Sequence, residues 1–341
     1  MLTYPVYEYE YNNKTLWGIH SKSARYTWAG FYLFVMLSSL IGDVTILIAS
    51  IRYRAFRLHK VVVIIIEHIA VSDILVSVTL VIPMMISFVA NDWVFGESLC
   101  YISAYLSHIC YSVSGLLICT MAVSKLMTLK SPLRITTRKT VHMVCAGCWL
   151  TILSTTPIFI SIDKSDVYFS YRSYMCAFGY SADVWQWLRP LIMTLVHFIP
   201  TCLVVGSTIN LMVIAKRVVK RSRGSLKWQG IITTVLTATV SCASTIPYVV
   251  YTVSQAVVQT ENKSQSFFHN TFFRLGVSFL FLNTISNFYI YSLTVKSFRK
   301  FLRPKVQVLP SVEEVGQKCR RSGAECRRVE EAGQENERTD K

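Results

Sequence analysis

The chain has 341 residues, of which 52% are hydrophobic and 16% charged, with a mean hydropathy of +0.41 and a formal net charge of +16. A soluble domain carries about a quarter charged residues, so this composition excludes an ordinary water-soluble fold. The basic excess excludes nothing by itself; its placement decides whether it serves nucleic acid, lipid or topology.

Residues 1–27 form a polar arm in which Tyr7, Tyr9 and Tyr11 alternate with Glu8 and Glu10, and an N-K-T sequon starts at Asn13. The arm has no charged start followed by an apolar core, so no cleaved signal peptide is expected, and the first apolar run would act as the insertion signal. Seven apolar runs follow, near 28–51, 61–89, 99–124, 140–162, 190–215, 230–258 and 269–293. About 20 apolar residues span roughly 30 Å of hydrocarbon as a helix. Backbone polar groups there must be satisfied within the protein, which predicts helices, and no alternating pattern suggests a membrane barrel. The fold class is therefore an all-α membrane protein, a seven-transmembrane helix bundle.

The connections alternate in charge. Arg52, Arg54, Arg57 and Lys60 follow the first run; Lys130, Arg134, Arg138 and Lys139 the third; Lys216, Arg217, Lys220, Arg221, Arg223 and Lys227 the fifth. Lys296, Arg299, Lys300 and Arg303 follow the seventh, whereas the opposite connections carry Glu97, Asp163, Asp166 and Glu261. The positive-inside rule places the N-terminus outside and the C-terminus in the cytoplasm of a plasma-membrane protein, and leaves no role for nucleic acid. A second sequon, N-K-S at Asn262, falls on the same outer side as Asn13.

Of ten cysteines, six lie inside apolar runs and read as small buried hydrophobes. Cys100 and Cys176 lie in outer segments, where a disulfide would tie the third helix to the loop before the fifth. Cys319 and Cys326 belong to a polar tail, 304–341, whose composition predicts disorder and whose few hydroxyls (Ser311, Ser322, Thr339) leave little room for phosphorylation.

Several motifs, in order, resemble the rhodopsin-like G-protein-coupled receptors over roughly residues 26–303. "GDVTILIAS" is similar to the helix-one G-N-x-x-V pattern, with Asp43 where Asn is usual, and "IAVSDIL" to L-A-x-x-D, with Asp73. "WVFGESLC" resembles the outer-loop W-x-F-G and helix-three cysteine. Trp149, Pro157 and Pro200 look like the helix-four and helix-five markers. Three signatures are altered. "AVSKLMTLKSPL" has Ser124, Lys125 and Leu126 where D-R-Y is common; "STIPY" keeps Pro247 but has Thr245 for tryptophan; "NTISNFYIY" keeps Asn283, Asn287 and Tyr291 but has Phe288 for proline. The resemblance implies an outer arm (1–27), a receptor domain (28–293), a short amphipathic eighth helix (294–303) and a cytoplasmic tail (304–341). In that eighth helix Phe298 and Phe301 are expected to enter the membrane interface while its bases meet anionic lipid.

Asp43, Glu67 and Asp73 read as the charged residues within the apolar cores, and an ionisable group there marks function by default, except that Glu67, close to the cytoplasmic headgroups, is given no role. The resemblance implies an allosteric sodium ion at Asp73, Ser114, Asn283 and Asn287, all oxygen donors, with Asp43 beside them. Otherwise the serine and asparagines read as interhelical glue. Lys125 keeps the charge of the family arginine but not its planar fork. Its usual acidic partners are replaced by Ser124 and Lys227, so two bases face one cleft, which favours separating helices three and six. Together with Tyr291, these residues are the expected G-protein switch.

Ser107, His108, Tyr111, His197, Tyr248 and Tyr251 are placed to line a ligand pocket, and helix seven has no lysine in its outer half for a retinal Schiff base. The acidic setting of Tyr7, Tyr9 and Tyr11 resembles sulfation sites of peptide receptors, against a bland reading as a solvated arm. No motif supports an enzyme or a cofactor beyond the sodium ion. Nor does an internal repeat support a transporter. Two readings remain: a receptor coupling an extracellular ligand to heterotrimeric G proteins, and a seven-helix protein that binds or scavenges ligand without signalling.

Overall fold

The computed structural model describes residues 19, 21–52, 60–130, 137–163, 167–171, 173–178, 199, 202–215, 228–257 and 266–302. Tyr7, Tyr9, Tyr11, Asn13, His197, Lys227 and Asn262 lie outside them, as do Cys319 and Cys326; Tyr251 is helical but its side chain is outside the described set.

Within the described residues each apolar run is helical, as hydrocarbon demands of an unpaired backbone. Helix α1 is Lys22–Arg52. Helix α2 runs through three continuous pieces, Lys60–Val76, a π turn Ser77–Val81, and Ile82–Ala90. The π turn has a local cause. Pro83 brings no N–H and crowds the preceding turn, and the helix widens so that the Ile82 N–H reaches the Ser77 carbonyl. Asn91 then ends the helix in the left-handed conformation, φ 61°, which asparagine tolerates better than most residues. Helices α3 (Gly96–Lys130) and α4 (Arg138–Asp163) follow. A two-stranded antiparallel hairpin comes next, β1 (Val167–Ser170) with β2 (Met175–Phe178), in the register Phe169 opposite Cys176. Then come α5 (Cys202–Ala215), α6 (Trp228–Val257), α7 (Ser266–Thr294) and, after the non-helical Val295, α8 (Lys296–Leu302).

Among the described residues four helices are long and apolar enough to cross a membrane: Lys22–Arg52, Val62–Ala90, Gly96–Thr128 and Gly230–Val250. On α1, Phe34, Leu37, Ile41, Val44, Ile48 and Ile51 are exposed at intervals of three or four residues. A continuous apolar stripe of that kind fits lipid, not water.

Two apolar layers fill the bundle. One, at the end bearing Lys125, holds Ile46, Ile65, Leu117, Tyr291 and Phe298; the other, at the hairpin end, holds Tyr32, Phe88, Cys110, Tyr174 and Phe281. Trp149 touches both and so packs one layer onto the other. Phe298 departs from expectation. It is fully buried, with its ring 5.9 Å from Phe288, so α8 points this side chain into the protein and not into lipid. The exposed face of α8 carries Arg299, while Phe301 is half-buried and stacks on Phe298 at 6.3 Å.

The Phe288 that replaces the usual proline has its own accommodation. A Cβ placed on Gly42 would stand 2.6 Å from the Phe288 Cβ, so only glycine lets α1 and α7 approach this closely. The contact sits beside Asp43 and Asn287, next to them in sequence, and therefore fixes the spacing of the polar core.

Candidate functional site

The polar core forms where α1, α2, α3 and α7 turn their hydrophilic residues inward. Asp73 is buried on α2, and its Oδ2 accepts a hydrogen bond from Asn287 Nδ2 of α7 at 2.8 Å. Asp43 is buried on α1, and its Oδ2 accepts from Ser39 Oγ at 2.8 Å, one turn earlier. Ser39 Oγ lies 3.0 Å from Ser77 Oγ, which lies 2.9 Å from the Asp73 carbonyl oxygen. The serines thus link the two acids, and Asp43 and Asp73 are close enough for their charges to repel.

Ser114 joins this network differently from expectation. Its hydroxyl donates to Ser72 Oγ at 3.0 Å, and Ser72 donates to the Cys110 carbonyl at 2.9 Å, so α3 is tied to α2 next to Asp73 and not at it. Asn283, one turn before Asn287 on α7, completes the set. Three acceptor oxygens in this region, Asp43 Oδ1, Asn283 Oδ1 and Asn287 Oδ1, are buried without a hydrogen-bond donor. An orphaned buried acceptor costs about 1–3 kcal/mol. Hard oxygens of this kind, next to two carboxylates, fit a hard monovalent cation in donor chemistry.

At the other end of α3, Lys125 is half-buried and lies against α6. A Cβ on Gly230 would stand 3.2 Å from Lys125 Nζ, and no described residue gives the ammonium an ion pair. Lys125 thus lies close to α6, while Lys227, the other base of the expected repulsion, is outside the described residues. Glycine leaves room for the lysine stem to lie along the α6 backbone, which brings the helices together despite the charge. The ends of α6 and α7 are also joined there, by Thr233 Oγ1 donating to Thr294 Oγ1 at 2.8 Å. Tyr291 is buried beside Thr237 of α6, with its hydroxyl outside hydrogen-bond geometry.

At the hairpin end, Cys100 and Cys176 form the expected disulfide, with Cα atoms 5.4 Å apart. The Ser107 hydroxyl turns back to the Ala104 carbonyl at 3.0 Å, whereas the His108 ring faces Phe178 of β2 at 6.2 Å. Tyr111 and Tyr248 both belong to the apolar layer at this end, and the Tyr111 hydroxyl is buried without a partner. Of the residues expected to line a pocket, Tyr111 and Tyr248 share one apolar layer, His108 packs against the hairpin, and Ser107 bonds within its own helix.

Sequence reasoning missed Arg274. It lies within the seventh apolar run and is buried on α7, so Asp43, Glu67 and Asp73 are not the only charges in the bundle. Its electrostatic neighbours include Tyr174 and Tyr32, and the Tyr32 hydroxyl lies 3.1 Å from Ser278 Oγ. The charged letter inside an apolar run was the available signal. Tyr174, Asn91 and the linking serines Ser39, Ser72 and Ser77 gave none, because serine, tyrosine and asparagine are ordinary residues in any loop or helix.

Comparison with known proteins agrees with this geometry. The chain is 28% identical over 195 residues to the porcine (Sus scrofa) neuropeptide Y receptor type 5, covering 54% of this chain and 43% of that receptor. The rat (Rattus norvegicus) receptor of the same name is 26% identical over 194 residues, with 54% and 43% covered. The chain thus matches less than half the length of these relatives. In fold it is similar to squid rhodopsin, with a TM-score of 0.70 at 16% identity over 84% of this chain and 87% of that one. Residues 42–291 match the family described as "7 transmembrane receptor (rhodopsin family)", and this chain belongs to that family of multi-pass membrane receptors.

Proposed function

We propose that the protein is a plasma-membrane receptor, with the hairpin end outside and the Lys125 end in the cytoplasm, that transmits the binding of an extracellular ligand to heterotrimeric G proteins. The observation that carries this reading is the Asp73–Asn287 bond, with its orphaned acceptors, buried between the hairpin end and the Lys125 end. A polar joint of this kind links α2 to α7 at a place where small shifts of either helix exchange partners, and interhelical polar contacts in lipid favour two discrete arrangements over a smooth slide. Asp73, Asn283 and Asn287, with Asp43 and the Ser114–Ser72 pair beside them, would hold a sodium ion. A bound ion would supply the positive charge that lets both acids stay ionised. Lys125, Tyr291 and Lys227 would form the cytoplasmic switch. A peptide ligand is supported by the names of the relatives and by the acidic tyrosine arm, whose Tyr7, Tyr9 and Tyr11 would be sulfated and whose Asn13, with Asn262, would be glycosylated. The arm (1–27), the receptor domain (28–293), the eighth helix (294–303) and the tail (304–341) remain the working division.

A second reading, ligand capture without nucleotide exchange, is favoured by one contact: Phe288 wedged against Gly42 where the family has a proline hinge. The two readings separate in one measurement, GTPγS uptake by each G-protein subtype in membranes with and without the receptor. Exchange above the receptor-free membranes supports signalling; exchange at background with every subtype, ligand-free and with candidate peptides, supports capture.

A further inference from the structure

His68 of α2 and His142 of α4 face each other where those helices pack, with ring centroids 6.0 Å apart and ring planes 67° from parallel. Both are half-buried. Their neighbours in sequence, Ile66 and Ile69 on α2 and Val141 and Cys145 on α4, belong to the apolar layer of the Lys125 end. Packing alone does not account for the choice of residue. Two phenylalanines make the same edge-on contact and bring no polar nitrogen into hydrocarbon. Among the described residues neither imidazole has a hydrogen-bond partner, so the helices leave the ring nitrogens to an outside group.

The spacing fits a shared metal. Zinc sits about 2.0–2.1 Å from an imidazole nitrogen, so one ion held by two rings sets their centres roughly 5–6 Å apart. The observed 6.0 Å meets that span, and rotation about χ2, a soft torsion in histidine, turns a nitrogen of each ring toward the gap. Imidazole selects borderline transition dications over magnesium or calcium, which take oxygen. Glu67, also half-buried, is an electrostatic neighbour of His68 and adds negative charge beside the pair. Among the described residues no group of three or more His, Cys, Asp or Glu closes a full shell, so water supplies the remaining ligands. A shell completed by water exchanges its ion, unlike the closed shell of a structural zinc.

We propose that His68 and His142 form a two-histidine site for an exchangeable transition-metal dication of the zinc class, which staples α2 to α4. The site needs neither ligand nor G protein, and stands apart from the receptor reading and from the sodium ion. Asp73 follows His68 on the same helix, so an ion on the pair also holds the helix that carries the polar core.

The test is zinc binding by the full chain in lipid nanodiscs, stripped with chelator and dialysed against micromolar zinc chloride near neutral pH. Histidines and cysteines elsewhere can add zinc of their own, so the quantity read is the difference between wild type and variants. His68→Phe and His142→Phe keep a ring at the contact and remove the nitrogens, and each is expected to bind about one equivalent less than wild type. Magnesium chloride in place of zinc is expected to give no difference. Equal zinc binding in wild type and both variants overturns the site. So does a loss in only one of them, because a staple needs both rings. Should either variant fail to fold, the wild type carries the test alone. Zinc is expected to slow carbethoxylation of His68 and His142 by diethyl pyrocarbonate about tenfold, as at about nine-tenths occupancy, and to leave His108 at the hairpin end unchanged. Equal rates with and without zinc, or slowing at His108 as strong as at the pair, overturn it.

Discussion

Asp43 puts a second carboxylate into a core where the family has an amide. Two carboxylates buried in one poorly solvated core cannot cheaply ionise together, so protons and cations compete to neutralise the pair. If sodium binds there, it stabilises the fold by mass action, by about 1.4 kcal/mol at ten times its dissociation constant. Protons and sodium neutralise the same charge, so the sodium-dependent rise in melting temperature is present near neutral pH and fades as the pH falls. Asp43→Asn leaves a single acid, and the fading is expected to move to more acidic pH. Melting curves with and without sodium across the pH range check this, and identical responses in both proteins would show that the acids do not communicate. Gly42, the neighbouring residue, makes a sharper structural claim. Alanine there places a methyl 2.6 Å from the Phe288 Cβ, so Gly42→Ala is expected to cost about 1–3 kcal/mol, read as a lowered melting temperature. Full recovery in Gly42→Ala combined with Phe288→Ala would identify the ring as the obstacle.

Among the elements, α8 shows best how a sequence pattern can be right and its direction wrong. The spacing of Phe298 and Phe301 between bases reads as a surface helix with a lipid face, yet Phe298 belongs to the protein core. A residue counted as a lipid anchor is thus a packing residue, and its truncation acts on stability. Phe298→Ala is expected to lower the melting temperature in detergent as well as in lipid, by the equivalent of about 3 kcal/mol if the cavity does not collapse. A loss seen only in anionic lipid vesicles would return Phe298 to the interface. The hairpin shows the opposite case. The cysteines at its clamp were legible from their outer position, and the bond is formed as expected. The burial of the turn beside it was not legible, because "SYRSYM" has the composition of any exposed loop.

For the whole molecule the question is how the end bearing Lys125 is held. Lys125 lies against Gly230 without an acidic partner among the described residues, and Lys227 stands three residues before Gly230 in sequence. Under the signalling reading, an acid at position 227 supplies the missing resting pair. Lys227→Glu is therefore expected to lower ligand-free nucleotide exchange several-fold, on the scale of about 1 kcal/mol for a partly exposed ion pair. Unchanged exchange in that variant, with the wild type above background, would remove Lys125 from the resting lock. What the sequence alone determined about this protein follows from two physical demands. Hydrocarbon thickness sets the length of the apolar runs, and backbone satisfaction makes them helices; the order of motifs around Asp73, Cys100 and Pro247 then identifies the family. Which way each helix faces was decided only by tertiary structure. In lipid an outward leucine and an inward leucine are equally at home, so hydrophobic periodicity carries little sign of inside and outside. Close packing supplied that sign. It turned Phe298 inward, set Gly42 against Phe288, placed Ser114 on Ser72, and drew Tyr174, Asn91 and Ile19 together from segments far apart in the chain.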